Sequence, residues 1–466
     1  MPIQFYNTYS RRLEAFEPID PPNVKVYTCG PTVYSFAHIG NFRAYVFEDL
    51  LQRHLEARGF QVERVMNLTD VDDKTIRGSR EAGISLPEFT ARYKKSFFED
   101  IDSLRIKRAT HFPAATGPEN LAKMIEMIEQ LLQEDIAYQA EDGSIYFRIS
   151  KYPDYGKLAH LNLAELKPSG RIQSDEYEKE NIGDFALWKA WDEKDGSVGW
   201  ETPWGKGRPG WHIECSAIAN RILGPEIDIH CGGVDNIFPH HEAEIAQSES
   251  VNRKKFVRYW LHNAHLFVEG QKMSKSLGNF FTLRDLLDKG FSGRELRYAL
   301  IRVNYRLPLN FTFDGLGEAR QSLLRIDEWI RRLQAIAGQA VQDPEFSAAK
   351  SNGFFAALDE DLNISAALAK LFNQIRETNR LVDHGQLTAG QAAALLNWWE
   401  QINQVLQLHE DTESVPKNVA TLLGKRAQAR ADRNWSRSDT IRIEIESLGW
   451  HIKDTKDGQQ LIKKLG

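Results

Sequence analysis

Residues 24–41, VKVYTCGPTVYSFAHIGN, indicate how the chain folds. The first six are mainly β-branched or aromatic and predict a short buried strand that ends at Cys29. After HIGN, apolar positions recur at helical spacing from Phe42 to Leu50, and Gly59 predicts the end of that helix. FQVERVMNL then alternates as a second strand. A strand, a helix and a strand in this order form a βαβ unit, which predicts a parallel sheet with its site at the carboxyl ends of the strands.

The remaining chain divides by composition. An amphipathic stretch from Glu119 to Tyr138 predicts a helix, SIYFRIS predicts a strand, and KPSGRIQSDEYEKENIGD predicts a mobile loop. EIDIH predicts a further strand of the first sheet, so a long insertion splits the sheet domain. Beyond Pro308 the pattern is helical, and HEDTESVPKN, residues 409–418, has the composition of a linker before a basic terminal module.

Composition predicts a cytoplasmic protein of several domains. The 466 residues exceed what one hydrophobic core organises, and no apolar run approaches the ~18 residues of a membrane span. Three cysteines are too few, and odd in number, for a disulfide framework. Residues 417–466 carry 11 Lys/Arg against 6 Asp/Glu, a local +5 that leaves −11 on the remainder of a chain of net charge −6. That module suits a polyanionic partner, although charge alone slightly favours a solvated helical surface.

Two motifs have the composition of anion-binding loops. His38-Ile39-Gly40-Asn41 lies where the first strand gives way to a helix, and backbone N–H groups at a helix N-terminus attract phosphate. Taken alone, the tetrapeptide is as well explained by a turn histidine without a function. KMSKS, residues 272–276, places two lysines and two hydroxyls in a short loop followed by LGN, which suits a mobile clamp for an anion.

Cysteine and histidine residues indicate a metal site. Six of the thirteen histidines lie in residues 211–265, which also contain Cys215. In FPHHEAEIAQ, Pro239 predicts a helix start, so His240 and Glu244 fall four residues apart on one helical face. An imidazole, a carboxylate and two thiolates can complete a tetrahedron around Zn²⁺. A lone buried cysteine more often serves packing, and the spacing leaves both explanations open.

Together these motifs resemble one enzyme family. HIGN and KMSKS across a split parallel sheet are similar to the class I aminoacyl-tRNA synthetases. TCGPTVY, MNLTDVDDK, DFALWK, GRPGWHIECSAIA, DIHCGGVDNIFPHHEAEIAQ and KMSKSLGN resemble the cysteinyl-tRNA synthetases over essentially the whole chain. The resemblance implies ATP-dependent activation of L-cysteine to cysteinyl-adenylate and transfer to the 3′-terminal adenosine of tRNA-Cys, with ATP-Mg²⁺ as substrate. It also implies a monomer without membrane contact.

The resemblance assigns roles to individual residues. It implies one Zn²⁺ per chain, held by Cys29, Cys215, His240 and Glu244. His241 competes for the imidazole position, and Cys231 is excluded because the family typically has glycine there. The other implied residues are His38, Lys272 and Lys275 for catalysis; His38, Gly40, Asn41 and Lys275 for ATP; Trp211, His212 and His230 for the amino-acid pocket; and Arg430, Trp435, Asp439 and Asp454 for the anticodon. Asn41 departs from the family's HIGH consensus.

Zinc supplies a physical basis for choosing cysteine over serine. An apolar pocket separates near-isosteres by only ~10²-fold, whereas Zn²⁺ prefers a soft thiolate. Coordination of the substrate thiolate requires the metal to accept a further ligand. This mechanism predicts that the chain needs no separate editing domain.

The resemblance implies an α/β fold: a Rossmann-type parallel-sheet catalytic domain split by an insertion, a helical bundle and a small α/β anticodon-binding domain. The predicted segments are 1–120 and 201–265 for the catalytic domain, 121–200 for the insertion, 266–312 for the KMSKS and stem-contact region, 313–408 for the bundle, and 417–466 for the terminal domain. Two rivals are a cysteine ligase of the mycothiol type, which acts on an amino-sugar and lacks an anticodon module, and a catalytically silent zinc- or RNA-binding paralogue.

Overall fold

The computed structural model describes residues 2–161, 167–172, 181–274, 276–343, 346, 352–409, 417–455 and 458–463. The helices are α1 (Ile39–Ala57), α2 (Asp73–Ala82), α3 (Leu86–Ser103), α4 (Pro118–Gln133), α5 (Trp211–Leu223), α6 (Glu242–Asn252), α7 (Leu283–Asp288), α8 (Gly293–Ile301), α9 (Phe313–Ala337), α10 (Asn352–Asp359), α11 (Ile364–Asp383), α12 (Ala389–Leu406), α13 (Lys417–Ala431) and α14 (Trp435–Ser447). Among the described residues, none of these helices combines the length and apolar character needed to cross a bilayer.

The strands belong to one large parallel sheet and several smaller sheets. They are β1 (Gln4–Asn7), β2 (Arg12–Ala15), β3 (Asn23–Thr28), β4 (Gln61–Met66), β5 (Ala137–Gln139), β6 (Ile145–Phe147), β7 (Lys167–Ile172), β8 (Asn181–Ala190), β9 (Gly207–Pro209), β10 (Ile227–Gly233), β11 (Val257–Asn263), β12 (Leu266–Val268), β13 (Gln271–Lys272), β14 (Leu309–Phe311), β15 (Trp450–Thr455) and β16 (Gly458–Lys463).

The parallel sheet has the strand order β11-β10-β3-β4, and this order positions the site. At the carboxyl end of β3, Thr28 pairs with Met66 of β4 and with Cys231 of β10. The chain leaves β3 through α1 toward β4 on one side, and leaves β10 through α6 toward β11 on the other. A crevice is therefore expected between β3 and β10, where the direction of the connections reverses.

The insertion forms its own sheet, in the order β5-β6-β8-β7 with β9 paired to β8. The predicted helix over 119–138 ends at Gln133, because Asp135 adopts a left-handed backbone (φ 56°) and a strand begins at Ala137. The predicted loop was wrong over its first six residues, which form β7, and over its last four, which begin β8. Its residues 173–180 lie outside the described residues. The insertion's sheet continues to Pro209, beyond the predicted boundary at 200.

Helix α1 is buried between the sheet and the helical bundle. It packs on α8 and α12, and one hydrophobic core continues from the parallel sheet through the bundle. Two polar contacts cross this junction. Buried Asp49 of α1 pairs with Arg297 of α8, and His54 Nε2 lies 3.0 Å from Asp359 Oδ1 of α10. The parallel-sheet domain and the helical bundle therefore share a single interior.

The terminal module is a small α/β unit. Helices α13 and α14 contact each other, and the antiparallel pair β15–β16 follows them. Its core is formed by Val419, Ile441, Ile445, Trp450 and Ile452. The parallel sheet split by an insertion, the bundle and this α/β unit confirm the predicted fold class.

Candidate active site

Cys29 lies directly after β3, at the predicted edge of the sheet. The backbone N–H of Gly30 donates to Asn67 Oδ1 (2.9 Å), which ties this loop to the end of β4. A Cβ on Gly30 would lie 1.7 Å from the carbonyl oxygen of Asn67, so only glycine permits this approach. The close packing of Gly30 on Asn67 therefore positions Cys29 beside the end of β4.

Four donor groups converge beside Cys29. The ligand atoms of Cys29, Cys215, His240 and Glu244 all lie within 4.8 Å of one another. Glu244 Oε1 is 3.1 Å from His240 Nε2, yet it is buried and none of the described residues offers it a partner that meets hydrogen-bond geometry. An orphaned carboxylate oxygen among two thiols and an imidazole fits a thiophilic divalent cation, and Zn²⁺ is the usual occupant of such a set.

The local backbone that brings His240 to Glu244 differs from the prediction. A helix start at Pro239 is wrong, because Ile237–His241 form a π-helical turn in which Phe238 is extended (φ −137°, ψ 133°). Helix α6 begins only at Glu242. The two ligand atoms meet through this turn and not along one regular helical face.

A second group of donors overlaps the first. Cys29, His230, His241 and Glu244 also place their ligand atoms within 4.8 Å of one another. His241 Nε2 lies 3.3 Å from Cys29 Sγ. His241 thus competes for the metal, as expected, but its group contains one thiol and the other contains two. Cys231 belongs to neither group.

The groups of this cluster shift one another's pKa. A hydrogen bond from the Cys215 thiol, assisted by His240, lowers the pKa of Cys29 despite its burial. Burial raises the pKa of Cys215. Burial alone would lower the pKa of His240. The charge of Glu244 and the contact with Cys29 outweigh burial and raise this pKa to about 9. The cluster therefore favours a thiolate at Cys29, which is the form that binds a metal.

The three predicted pocket residues contact the donor groups directly. The Trp211 ring stacks on His240 with centroids 4.3 Å apart, and His212 Nδ1 lies 3.0 Å from His240 Nδ1. His230 Nε2 lies 3.1 Å from Glu244 Oε2. Contacts of this kind orient metal-binding side chains by holding the atoms that do not themselves bind the metal.

A polar support beneath the cluster was missed at the sequence level. Buried Glu214, next to Cys215, accepts from Asn67 Nδ2 (2.7 Å) and from the Thr69 hydroxyl (2.7 Å). Burial raises the pKa of Glu214 to about 8, although both donors lower it. Asn67 thereby joins the Cys29 loop to the helix that carries Cys215. MNLTDVDDK and GRPGWHIECSAIA contain these residues, but sequence alone gives no sign that the two segments touch.

A cavity of about 440 Å³ opens beside the donor cluster. Its lining includes Cys29, the motif residues His38, Gly40 and Asn41, and Lys272. The structure thus brings the HIGN turn, the first lysine of KMSKS and one cysteine of the cluster to one site. Lys275 lies outside the described residues.

Three further lining residues were not anticipated. Glu48 of α1 is buried, neither of its carboxyl oxygens has a hydrogen-bond partner among the described residues, and burial raises its pKa to about 8. At the other side, Asp235 Oδ2 lies 3.3 Å from His265 Nδ1. Glu48 falls two helical turns after Asn41, so the sequence spacing could have shown that the two side chains lie on the same face of α1.

The predicted anticodon residues lie in the terminal module, remote in sequence from the cavity. Trp435 is 56 % exposed, so it does not serve as a core residue. The Arg430 guanidinium lies 5.6 Å from its ring centroid, and Asp439 is exposed on α14. Asp454 lies in β15, where its backbone pairs with Gln459.

Comparison with known proteins decides the family. A family model described as the class I (C) tRNA synthetase catalytic domain matches residues 15–321, a DALR domain matches 353–410, and a cysteinyl-tRNA ligase anticodon binding domain matches 412–461. The cysteine–tRNA ligase of Chlamydia caviae is 51% identical over 471 residues, covering 99% of this chain and 98% of that protein. That of Protochlamydia amoebophila is 48% identical, covering 100% and 98%. The chain belongs to the cysteinyl-tRNA synthetase family.

Solved structures place this cysteinyl-tRNA synthetase family member among class I folds. A Mycobacterium tuberculosis methionyl-tRNA synthetase bound by methionyl-adenylate superposes with a TM-score of 0.64 at 15% identity, covering 91% of this chain and 96% of that one. A leucyl-tRNA synthetase of Agrobacterium radiobacter in a ternary complex with tRNA gives 0.61 at 12% identity, covering 84% and 85%. At these identities the likeness concerns the fold alone.

Proposed function

We propose that this chain joins L-cysteine to tRNA-Cys at the expense of ATP. Cysteine is first activated as cysteinyl-adenylate and then transferred to the 3′-terminal adenosine of the tRNA. One observation carries the proposal: two thiols, an imidazole and a carboxylate converge beside a cavity whose wall is the HIGN turn. Family membership supports the tRNA substrate, since the relatives are named cysteine–tRNA ligases.

In the proposed site, Cys29, Cys215, His240 and Glu244 hold Zn²⁺. When bound, this ion supplies a soft Lewis acid that favours a thiolate over a hydroxyl. Trp211 and His212 fix the His240 ring, and His230 orients Glu244, as their contacts allow. Selectivity for cysteine over serine then depends on the donor set, because a cavity of matching shape alone separates such near-isosteres by only ~10²-fold.

Activation requires positioning and no protein nucleophile. The substrate carboxylate is ionised at neutral pH, so its oxygen can attack the α-phosphate of ATP-Mg²⁺ while the bond to pyrophosphate breaks. The positive end of the α1 helix dipole and the His38 side chain lie at the cavity for the phosphates. Lys272 lies at the cavity wall and adds positive charge. The role of Lys275 is proposed from the family resemblance alone.

For the tRNA, the terminal module is proposed to bind the anticodon. Exposed Trp435 beside Arg430 suits stacking on an unpaired base, and Asp439 and Asp454 are proposed to read base edges. We further propose that the enzyme is monomeric and cytoplasmic. Sedimentation of the pure protein tests whether it is a monomer.

The first test is pyrophosphate exchange into ATP. We expect exchange that depends on cysteine and is not supported by serine, followed by charging of tRNA-Cys. If the protein transferred cysteine to an amino-sugar and not to tRNA-Cys, the proposed acceptor would be wrong. If neither cysteine nor serine supported exchange, the chain would be a catalytically silent paralogue.

The second test concerns the metal. We expect one zinc per chain by elemental analysis, lost in Cys215→Ser together with cysteine activation. The matched control is Cys231→Ala, which removes another buried thiol outside both donor groups and should keep its zinc. Full zinc occupancy in Cys215→Ser would contradict the ligand assignment.

A further inference from the structure

The HIGN turn is closed by a reciprocal pair of hydrogen bonds. His38 is the N-cap of α1, and its Nδ1 accepts from the backbone N–H of Asn41 (3.2 Å), an N–H shared with the His38 carbonyl (2.9 Å). In return, Asn41 Oδ1 accepts from the backbone N–H of His38 (3.1 Å). This is a capping box in which Asn41 stands at the N3 position, where glutamate or glutamine is usual.

The box restricts where the His38 proton can be. A nitrogen that accepts a hydrogen bond carries no proton, so Nδ1 is the unprotonated nitrogen of the ring. Burial lowers the pKa of His38 to about 4, so the ring is neutral near pH 7 and holds one proton. That proton is then on Nε2, and the His38 side chain lines the cavity.

Neighbouring groups hold the ring in this position. Phe280 meets the His38 ring edge-on with centroids 5.2 Å apart, and the backbone N–H of Ile39 donates to the Phe281 carbonyl (3.0 Å). Gly40 contributes by having no side chain, because a Cβ there would lie 2.9 Å from His38 Nδ1. The ring is therefore packed on both sides while Nδ1 remains engaged.

We propose that Asn41 is a positioning residue whose side chain holds the His38 backbone N–H and so keeps the Asn41 N–H aligned on Nδ1, which holds His38 in the tautomer protonated on Nε2. His38 thus offers a hydrogen-bond donor, and not an acceptor, to a ligand in the cavity. A phosphate oxygen accepts such a bond without any proton transfer. The inference deepens the proposed role of His38 toward ATP, and its functional meaning rests on that role.

The experiment measures the tautomer directly in the full chain. The protein is labelled with ¹⁵N-histidine, long-range ¹H–¹⁵N spectra are recorded at neutral pH without ATP, and the His38 signals are identified by their loss in His38→Gln. We expect shifts of an unprotonated Nδ1 and a protonated Nε2 in the parent protein. Asn41→Ala keeps the backbone N–H that donates to Nδ1 but loses the side-chain half of the box, so it should populate both tautomers. Asn41→Gln, which restores a usual N3 acceptor, should return the parent shifts.

A matched control separates positioning from helix capping. Gln391 stands at the same N3 position of α12, where its Oε1 accepts from the backbone N–H of the N-cap Thr388 (3.2 Å). Gln391→Ala should lose comparable stability without moving the His38 signals. In pyrophosphate exchange, Asn41→Ala should lower kcat/KM for ATP about tenfold, the effect of one lost hydrogen bond, and Asn41→Gln should recover most of it.

A proton on Nδ1 in the parent protein, or unchanged His38 shifts in Asn41→Ala, would overturn the proposal. Because the spectra need no ATP, they remain readable if the exchange assay fails. Failure of the proposed function and failure of this inference are therefore distinguishable.

Discussion

Replacing Gly40 with alanine is expected to lower the activity of the chain while leaving its stability nearly unchanged. The new Cβ would lie 2.9 Å from both Cε1 and Nδ1 of His38, and 3.3 Å from Cε of Met273. Ordinary contacts between such atoms are about 3.5–4.0 Å, so the His38 ring must move by roughly 0.5 Å or more. Met273 is flexible and can give way, but the His38 ring is fixed by Phe280 and by its own hydrogen bond.

The size of the loss follows from that hydrogen bond. Moving Nδ1 away from the Asn41 N–H, now 3.2 Å distant, forfeits an interaction of about 1 kcal/mol. The displaced Nε2 also misses its position on the ligand. We therefore expect kcat/KM for ATP to fall about 10- to 100-fold. Helix propensity acts in the opposite direction, since alanine exceeds glycine in a helix by up to ~1 kcal/mol.

The assays are pyrophosphate exchange for activity and urea unfolding for stability. Gly317→Ala is the matched control, because Gly317 lies in α9 and nothing is within 4 Å of its would-be Cβ. This control should gain stability and keep full activity. An unchanged kcat/KM in Gly40→Ala, or a loss explained by unfolding, would refute the reasoning.

Three further perturbations test other parts of the molecule. Trp435→Ala should raise KM for tRNA-Cys about tenfold through lost stacking and spare pyrophosphate exchange, and equal losses in both assays would argue against separate surfaces. Burial raises the pKa of Asp100 to about 6, so the folded protein binds that proton more tightly and stability falls as pH rises from about 4 to 6. Between about pH 4 and 6 the unfolding free energy of the parent should fall by up to ~3 kcal/mol relative to that of Asp100→Asn. Parallel plots of unfolding free energy against pH for the two proteins would contradict this. Arg297→Met should cost ~1.5–3 kcal/mol by removing one of the two cations on buried Asp49, which keeps its pair with Arg53. The double variant with Asp49→Asn should recover much of this loss, and additive losses would count against the pair.

Local patterns in the sequence predicted the parts of the fold that local forces determine. Strand β3, helix α1 and strand β4 follow from alternation and helical spacing within 45 residues. The failures occurred where tertiary contacts override local preference. Residues 167–172 are polar and look like a loop, yet they pair as β7 with β8. Pro239 looks like a helix start, yet the turn around it is π-helical.

The site shows the same division. Cys29 and the HIGN turn could be placed at a sheet edge from the sequence, because a βαβ unit sets that position. The approach of Cys215 and His240 to Cys29 could not be derived from spacing, and it entered only through family resemblance. The support of Glu214 by Asn67 and Thr69 was invisible, since it joins segments about 145 residues apart.

The shared interior around α1 has a consequence for dissecting this enzyme. A fragment ending near residue 312 would keep every side chain proposed to handle cysteine and ATP. It would nevertheless leave His54 without Asp359 and expose the apolar faces that α9 and α12 now cover. This part of the protein is thus not expected to fold on its own, and a shortened ligase designed from this chain would have to retain the bundle as scaffold.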